Sequence, residues 1–221
     1  MGKVPTVEEL FDLEHTIARR LIESSHYGHR AIAGLKEFIK SIIPTLGPDF
    51  EEIGKDVYAS KDAVISDSAE IIGPTIICRK AEIRPGAYIR GSVIIGCGAV
   101  IGNSTEVKNS IIFDEAKLPH YNYAGDSIIG YKAHMGAGAI ASNQRLDKRP
   151  IRLKSEEEVI ETGMTKLGAM LGDYAEIGCH SVLSPGTIIG RESLIYPLSH
   201  IRGTVERGLI IDGGREKRYR K

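Results

Sequence analysis

Ile83–Val107 reads IRPGAYIRGSVIIGCGAVIGNSTEV, and its aliphatics Ile83, Ile89, Ile95, Ile101 and Val107 stand six residues apart. The period runs back to Ile65, Ile71 and Ile77, and it returns at Ile129, Met135 and Ala141. It returns once more at Leu171, Ile177, Leu183, Ile189, Ile195 and Ile201. Four residues after most of these comes a small side chain, as at Ala69, Thr75, Ala87, Ala99, Ala175, Ser181, Thr187 and Ser193. A helix repeats at about 3.6 residues and a flat strand at 2, so a six-residue period with turn glycines specifies short strands wound into a β-helix. Three hexapeptides make one triangular coil, and Val57 to Val205 leaves room for roughly seven coils stacked ~4.7 to 4.9 Å apart.

Two interruptions stand out. After Val107 the series falls at Ile112, Leu118, Tyr123 and Ile129. Then about 28 residues between Asn143 and Leu171 break the stack. That stretch is basic at first (Arg145, Lys148, Arg149, Arg152, Lys154) and acidic later (Glu156, Glu157, Glu158, Glu161). A loop this long in a solenoid is expected to project from a corner and to serve binding. Its charges either pair within a solvated hairpin or clamp a phosphate on a neighbouring coil.

Composition narrows the function classes. Lys plus Arg equal Asp plus Glu at 29 each, so no global positive field gathers nucleic acid or an anionic membrane. With no Trp and only four Phe, the core must be aliphatic. Cys78, Cys97 and Cys179 are odd in number and lack C-x-x-C spacing, which favours free thiols in a reducing compartment and a cytoplasmic location. Apolar runs are short, so neither a signal peptide nor a membrane span is expected.

Ahead of the repeat, Thr6 and Glu9 form a capping-box pattern, and Leu10, Leu13, Ile17 and Leu21 fall on one helix face. A second helix is expected from about His29 to Pro44. The organisation expected is a helical hairpin over 1–50, a β-helix over 51–210 with a loop insertion at 143–170, and a basic tail over 211–221. The hairpin cannot bury both faces alone, so it should pack on the β-helix or on another subunit. His15, His26 and His29 read as polar helix and turn positions, with no acidic or cysteine partner to make a metal site.

Pro119–Asn143, PHYNYAGDSIIGYKAHMGAGAIASN, holds the residues suited to chemistry: His120, Tyr121, Tyr123, His134, Gly136-Ala137-Gly138 and Asn143. With Arg84-Pro85-Gly86-Ala87, Gly102-Asn103-Ser104-Thr105-Glu106-Val107-Lys108 and Gly125-Asp126, it resembles a known family over roughly Ala81 to Gly203. That family is the left-handed hexapeptide-repeat acetyltransferase domain of the bacterial bifunctional glucosamine-1-phosphate acetyltransferase and N-acetylglucosamine-1-phosphate uridylyltransferase. Archaeal sugar-1-phosphate nucleotidylyltransferase/acetyltransferases are similar too, and their KLGA-x-x-GD run stands here as Lys166 to Asp173. The chain departs from the bacterial pattern at His134 (Asn there), Arg149 (Lys), Cys179 (Ser) and Pro197 (Ala). Nothing resembles the nucleotidylyltransferase domain of these relatives; the helical hairpin stands in its place.

The resemblance implies a mostly β, left-handed parallel β-helix and a cytoplasmic homotrimer with sites between subunits. It implies acetyl transfer from acetyl-CoA to the amine of an amino-sugar phosphate or nucleotide amino sugar, linked to UDP-N-acetylglucosamine-type synthesis. No metal is implied. His120 would be the general base, Glu106 would hold the amine or tune the imidazole, and the Ala137 amide would meet the oxyanion. Arg84, Lys108, Tyr123, Asn143 and Arg149 would bind the sugar phosphate, and Cys179 and Pro197 would contact acetyl-CoA. The alternatives are a sugar O-acetyltransferase, a non-catalytic β-helix subunit beside a separate nucleotidylyltransferase, and a γ-carbonic-anhydrase-like metal lyase. The last needs an H-x₄-H pair that His120, His134, His180 and His200 do not supply.

Overall fold

Short parallel strands stack into three sheets that wrap one aliphatic core as the faces of a triangular prism. The computed structural model describes residues 2–213 and 215–218; Met1, Gly214 and 219–221, the latter two within the basic tail expected at 211–221, lie outside the described residues. Face A runs from Phe50–Gly54 and Val57–Ser60 through Thr75–Ile77, Val93–Ile95, Ser110–Ile112, Ile128–Ile129, Met170–Leu171 and Ile188–Ile189 to Thr204–Val205. Face B includes Glu82–Ile83, Val100–Asn103, Lys117–His120, His134–Met135, Glu176–Ile177 and Leu194–Ile195. Face C includes Tyr88–Arg90, Glu106–Lys108, Tyr123–Gly125, Ile140–Ala141, Val182–Leu183 and His200–Ile201. The fold is a left-handed parallel β-helix with its helices at the N-terminal end.

The six-residue series forms the core from Ile77 to Ile201, and Ile65 and Ile71 are partly buried in the first coil. Tyr123 is the exception. Strand Tyr123–Gly125 pairs with Glu106–Lys108 so that Ala124 sits beside Val107 inside and Tyr123 beside Glu106 outside. The slip in the period lies at the corner between faces C and A. Gly91 and Ser92 turn that corner in one coil, whereas Asn109 turns it alone in the next, at φ 45°. Asp126 follows in the same corner one coil further on, at φ 52°. Both are residue types that enter the left-handed region at low cost.

Face A has a second apolar row on its outer side: Ile76, Ile94, Ile111, Ile128, Met170 and Ile188. Helix α3 (Gly28–Ile42) covers it with Ile32, Leu35 and Ile39. The fit is close enough that a Cβ on Gly28 would stand 2.5 Å from the Met170 sulfur. The hairpin expected to face another subunit or the β-helix therefore packs on its own chain.

The insertion also lies on the prism, where a projecting corner loop was expected. It forms an antiparallel hairpin, Arg152–Lys154 against Val159–Glu161, whose Arg152–Glu161 ion pair spans 2.7 Å. Alternation turns Ile151 and Leu153 into the second core, and the Lys154 carbonyl accepts the Thr204 hydroxyl at 2.7 Å. Burial of that apolar row outweighs projection.

The first helix is shorter than its periodicity suggests. The Thr6/Glu9 capping box is present, but α1 (Val7–Leu10) stops at Phe11, which is extended (φ −131°, ψ 139°). A short 3₁₀ turn (Leu13–His15) and α2 (Arg19–Glu23) follow. The cause is Asp173, 0% exposed, whose carboxylate accepts the Asp12 N–H at 2.7 Å and the Tyr131 N–H at 2.9 Å. Its own N–H donates to the Leu10 carbonyl at 3.0 Å, and Arg191 Nη2 lies 3.0 Å from the carboxylate. Continuing the helix would strip a buried carboxylate of a donor, a loss that costs more than one helical turn gains. No helix among the described residues is long and apolar enough to cross a membrane.

Candidate active site

Strand Lys117–His120 ends at the corner between faces B and C, with His120 in register beside Asn103. One coil up, the Gly138 N–H donates to the His120 carbonyl at 3.0 Å. Above that the His180 N–H donates to the Ala137 carbonyl (2.8 Å) and the Leu198 N–H to the Cys179 carbonyl (2.9 Å). Asn103, His120, Ala137, Cys179 and Pro197 therefore climb one corner in a column, with successive members about 4.8 Å apart. His120, Cys179 and Pro197 are exposed. The Ala137 N–H donates to no group among the described residues, so a donor stands bare one coil above the imidazole.

Asn122 fixes this corner. It is buried; its Oδ1 accepts the His120 N–H at 3.1 Å, and its Nδ2 donates to the Gly136 (2.8 Å) and Ala139 (3.2 Å) carbonyls. Its own N–H donates to Thr105 Oγ1 at 3.2 Å. Sequence reasoning missed Asn122, although it occupies the small-residue slot four positions after Leu118, where a side chain with four hydrogen-bonding valences is conspicuous.

At the other end of face C, the buried carboxylate of Asp126 gathers two donors from the coil below and one from the coil above. Asn143 Nδ2 lies at 2.6 Å, Asn109 Nδ2 at 2.7 Å and Lys108 Nζ at 3.3 Å. Tyr123 stands on the same face above Glu106, with its hydroxyl beside Asn143. Burial first, then the charges of Glu106 and Asp126, hold its phenol proton more tightly than usual, so it is a hydrogen-bond donor at neutral pH. Glu106 pairs with Arg90 at 2.6 Å and makes no contact with His120 among the described residues.

Arg84 lies near the His120 corner, two coils lower, paired with Glu82 at 2.9 Å. Arg149 is exposed in the insertion, its N–H on Asp147 at 3.2 Å. The structure thus brings together His120, Ala137, Cys179 and Pro197 at one corner, and Lys108, Tyr123 and Asn143 near the other. Six residues, at most about 20 Å of extended chain, separate His120 from Asp126, and Tyr123, three residues from His120, stands between the corners with its hydroxyl toward Asn143. His134 faces outward on face B above Lys117, with Nδ1 2.9 Å from Glu176 Oε2. Among the described residues no three His, Cys, Asp or Glu side chains gather to hold a metal ion.

Residues 71–205 match the family model described as the GMPPB C-terminal domain. The chain belongs to this family. Both corners of face C and the outer row of face A fall inside the matched span, whereas helix α3 lies before it. Among curated relatives, the bifunctional sugar-1-phosphate nucleotidylyltransferase/acetyltransferase of Sulfurisphaera tokodaii is 36% identical over 159 residues, covering 64% of this chain and 40% of that protein. The bifunctional protein GlmU of Methanococcus maripaludis is 40% identical over 111 residues, covering 50% and 27%. The putative uncharacterized acetyltransferase YaiX of Escherichia coli K12 is 34% identical over 159 residues, covering 72% and 67%. The chain spans two fifths or less of the length of the first two relatives.

Proposed function

We propose that this chain transfers an acetyl group from acetyl-CoA to the amine of an amino-sugar phosphate of the glucosamine-1-phosphate kind, in the cytoplasm and as a homotrimer. The observation that carries the reading is the corner column, in which exposed His120 stands one coil beneath the bare Ala137 N–H. An amine of ordinary pKa, about 7.7 to 8, is largely protonated at neutral pH and cannot attack a thioester. The amine enters as its neutral fraction, having lost one proton to solvent, and His120 takes the second proton as the nitrogen bonds to the carbonyl carbon, a role worth on the order of 10² to 10⁴ in rate. The oxyanion that forms accepts the Ala137 N–H, and one such donor contributes about 2.7 to 4 kcal/mol. Collapse breaks the carbon–sulfur bond, and the CoA thiolate leaves with the proton that His120 returns. Cys179 and Pro197, higher in the column, line the path of the acyl donor.

Lys108 and Asn143, gathered on Asp126, sit across face C from His120 in one chain, too far to hold the same small sugar. A second copy whose Asp126 corner meets the first copy's His120 corner brings both sets to one substrate. That supports the trimer, with Arg84, Lys108 and Arg149 neutralising the phosphate and Asn143 and Tyr123 orienting the ring. The test is thiol release from acetyl-CoA against glucosamine-1-phosphate and galactosamine-1-phosphate. His120→Ala should lower turnover at least ~100-fold while the trimer persists, in line with loss of a general base. Full activity in that variant sinks the assignment, and acetate attached through an alkali-labile ester would point to O-transfer.

A further inference from the structure

We propose that Asn122 is a positioning residue for acetyl transfer, which aims and strengthens the Ala137 N–H from inside the prism while it holds the His120 backbone; this rests on the acetyltransferase reading above. The Ala137 N–H shares a peptide group with the Gly136 carbonyl, and in a planar trans peptide the two point in opposite directions. Whatever draws that carbonyl toward the core therefore turns the N–H outward. Two donors draw it: the Ala139 N–H at 3.0 Å, which closes the turn, and Asn122 Nδ2 at 2.8 Å from the coil below. Asn122 is 3% exposed, and Ala139 above it belongs to the aliphatic core, so the pull comes from within. A hydrogen bond accepted by a peptide carbonyl also polarises the peptide and makes its N–H a stronger donor.

The other end of the same amide faces the base. Asn122 Oδ1 accepts the His120 N–H at 3.1 Å. The Asn122 N–H is itself anchored on Thr105 Oγ1 at 3.2 Å, and that hydroxyl donates to the Leu118 carbonyl at 3.1 Å. One side chain thus ties the backbone that carries the imidazole to the peptide that carries the oxyanion donor. Without it the two coils meet here through the Gly138 N–H on the His120 carbonyl, at 3.0 Å. A misplacement of about 1 Å in a reacting group can cost roughly 10²-fold in rate, so a second tie has a catalytic use.

The neighbouring coils show what the amide adds. Along this corner the same slot holds Ala87, Thr105, Ala139, Ser181 and Ser199, and an amide stands in the coil that carries His120. Alanine and serine are therefore both compatible with the stack. The Ser181 hydroxyl donates to the Tyr196 carbonyl at 3.1 Å, and Tyr196 occupies the column position that Gly136 holds lower down. A serine in this slot can supply the upward donor, whereas an alanine supplies none.

The test compares Asn122→Ala with Asn122→Ser in the full chain. It measures kcat and KM for acetyl-CoA and glucosamine-1-phosphate, and follows the amide nitrogen resonance of Ala137 in the free protein. Asn122→Ala should lower kcat about tenfold or more, part of the 10² to 10³ that loss of an oxyanion donor costs, with both KM values unchanged. Its Ala137 resonance should move upfield as the Gly136 carbonyl loses a donor. Asn122→Ser should return the resonance and most of kcat. If only Asn122→Ser holds the fold, near wild-type kcat and resonance support the role, and a tenfold loss of kcat overturns it. Equal losses in two folded variants, or an Ala137 resonance that neither variant moves, overturn the positioning role and leave the acetyltransferase reading standing. A wild type that releases no thiol from acetyl-CoA sinks that reading and the role with it.

Discussion

Asp126 organises more of the candidate site than any residue that would do chemistry. Three donors from the coils below and above converge on one buried carboxylate, so Lys108 and Asn143 are preset before any ligand arrives. The placement of the corner column was legible in the sequence because its spacing is rigid: one coil separates His120 from Ala137, and the fold converts that spacing into a column. What Asp126 and Asn122 hold was not, because those are contacts between coils, which a linear spacing does not display. A thiol pair carries a sharper prediction. The hydrogen bond from Cys78 lowers the Cys97 thiol to about 7, against burial, which acts the other way. Cys78 itself is pushed up, first by the same bond and then by burial. In a Cys179→Ser background, alkylation of Cys97 should therefore rise with a midpoint near pH 7, and Cys78→Ala should move that midpoint toward the ordinary ~8.5. A midpoint already near the ordinary value in the parent would remove the coupling.

Elements were legible where one period ruled them. The inner row of the prism follows from Ile83–Val107 alone. The helical layer's docking site was also written in the chain, as the doublets Ile76-Ile77, Ile94-Ile95, Ile111-Ile112, Ile128-Ile129 and Ile188-Ile189, in which one residue faces each way. A six-residue series records only the inner member. The broken first helix was not legible, since its stop is imposed by Asp173, more than a hundred residues away in sequence. Within the helical layer, His29 is buried with Nδ1 unpartnered. Burial first, then Arg30, lowers its pKa below the usual range. The folded chain then binds fewer protons than the unfolded chain, so this contribution is complete above ~6.5 and declines as pH falls from there toward the lowered value. Urea midpoints measured from pH 7 down to pH 5 should fall, and His29→Gln should flatten the decline. An unchanged slope in that variant would assign the acid sensitivity elsewhere.

Among the described residues the helices cover face A alone, and the proposed site is split between the corners of face C. If neighbouring copies complete each other, co-expressed His120→Ala and Lys108→Ala chains should regain activity in about a quarter of the interfaces of a closed ring, although each variant alone is impaired. Activity no higher than the average of the two variants would place both residues in the site of a single chain. A stack of coils, each touching only its neighbours, could in principle peel from either end one layer at a time. Helix α3 bears on Val93–Ile95 and Ser110–Ile112 and, through Gly28, on Ile128 and Met170. At about 1.5 Å per residue its length of roughly 22 Å matches four such layers, so it acts as a splint laid along the grain of the stack. Layers bound to one splint come apart together, which turns the middle of a one-dimensional array into a single cooperative block and confines fraying to its ends.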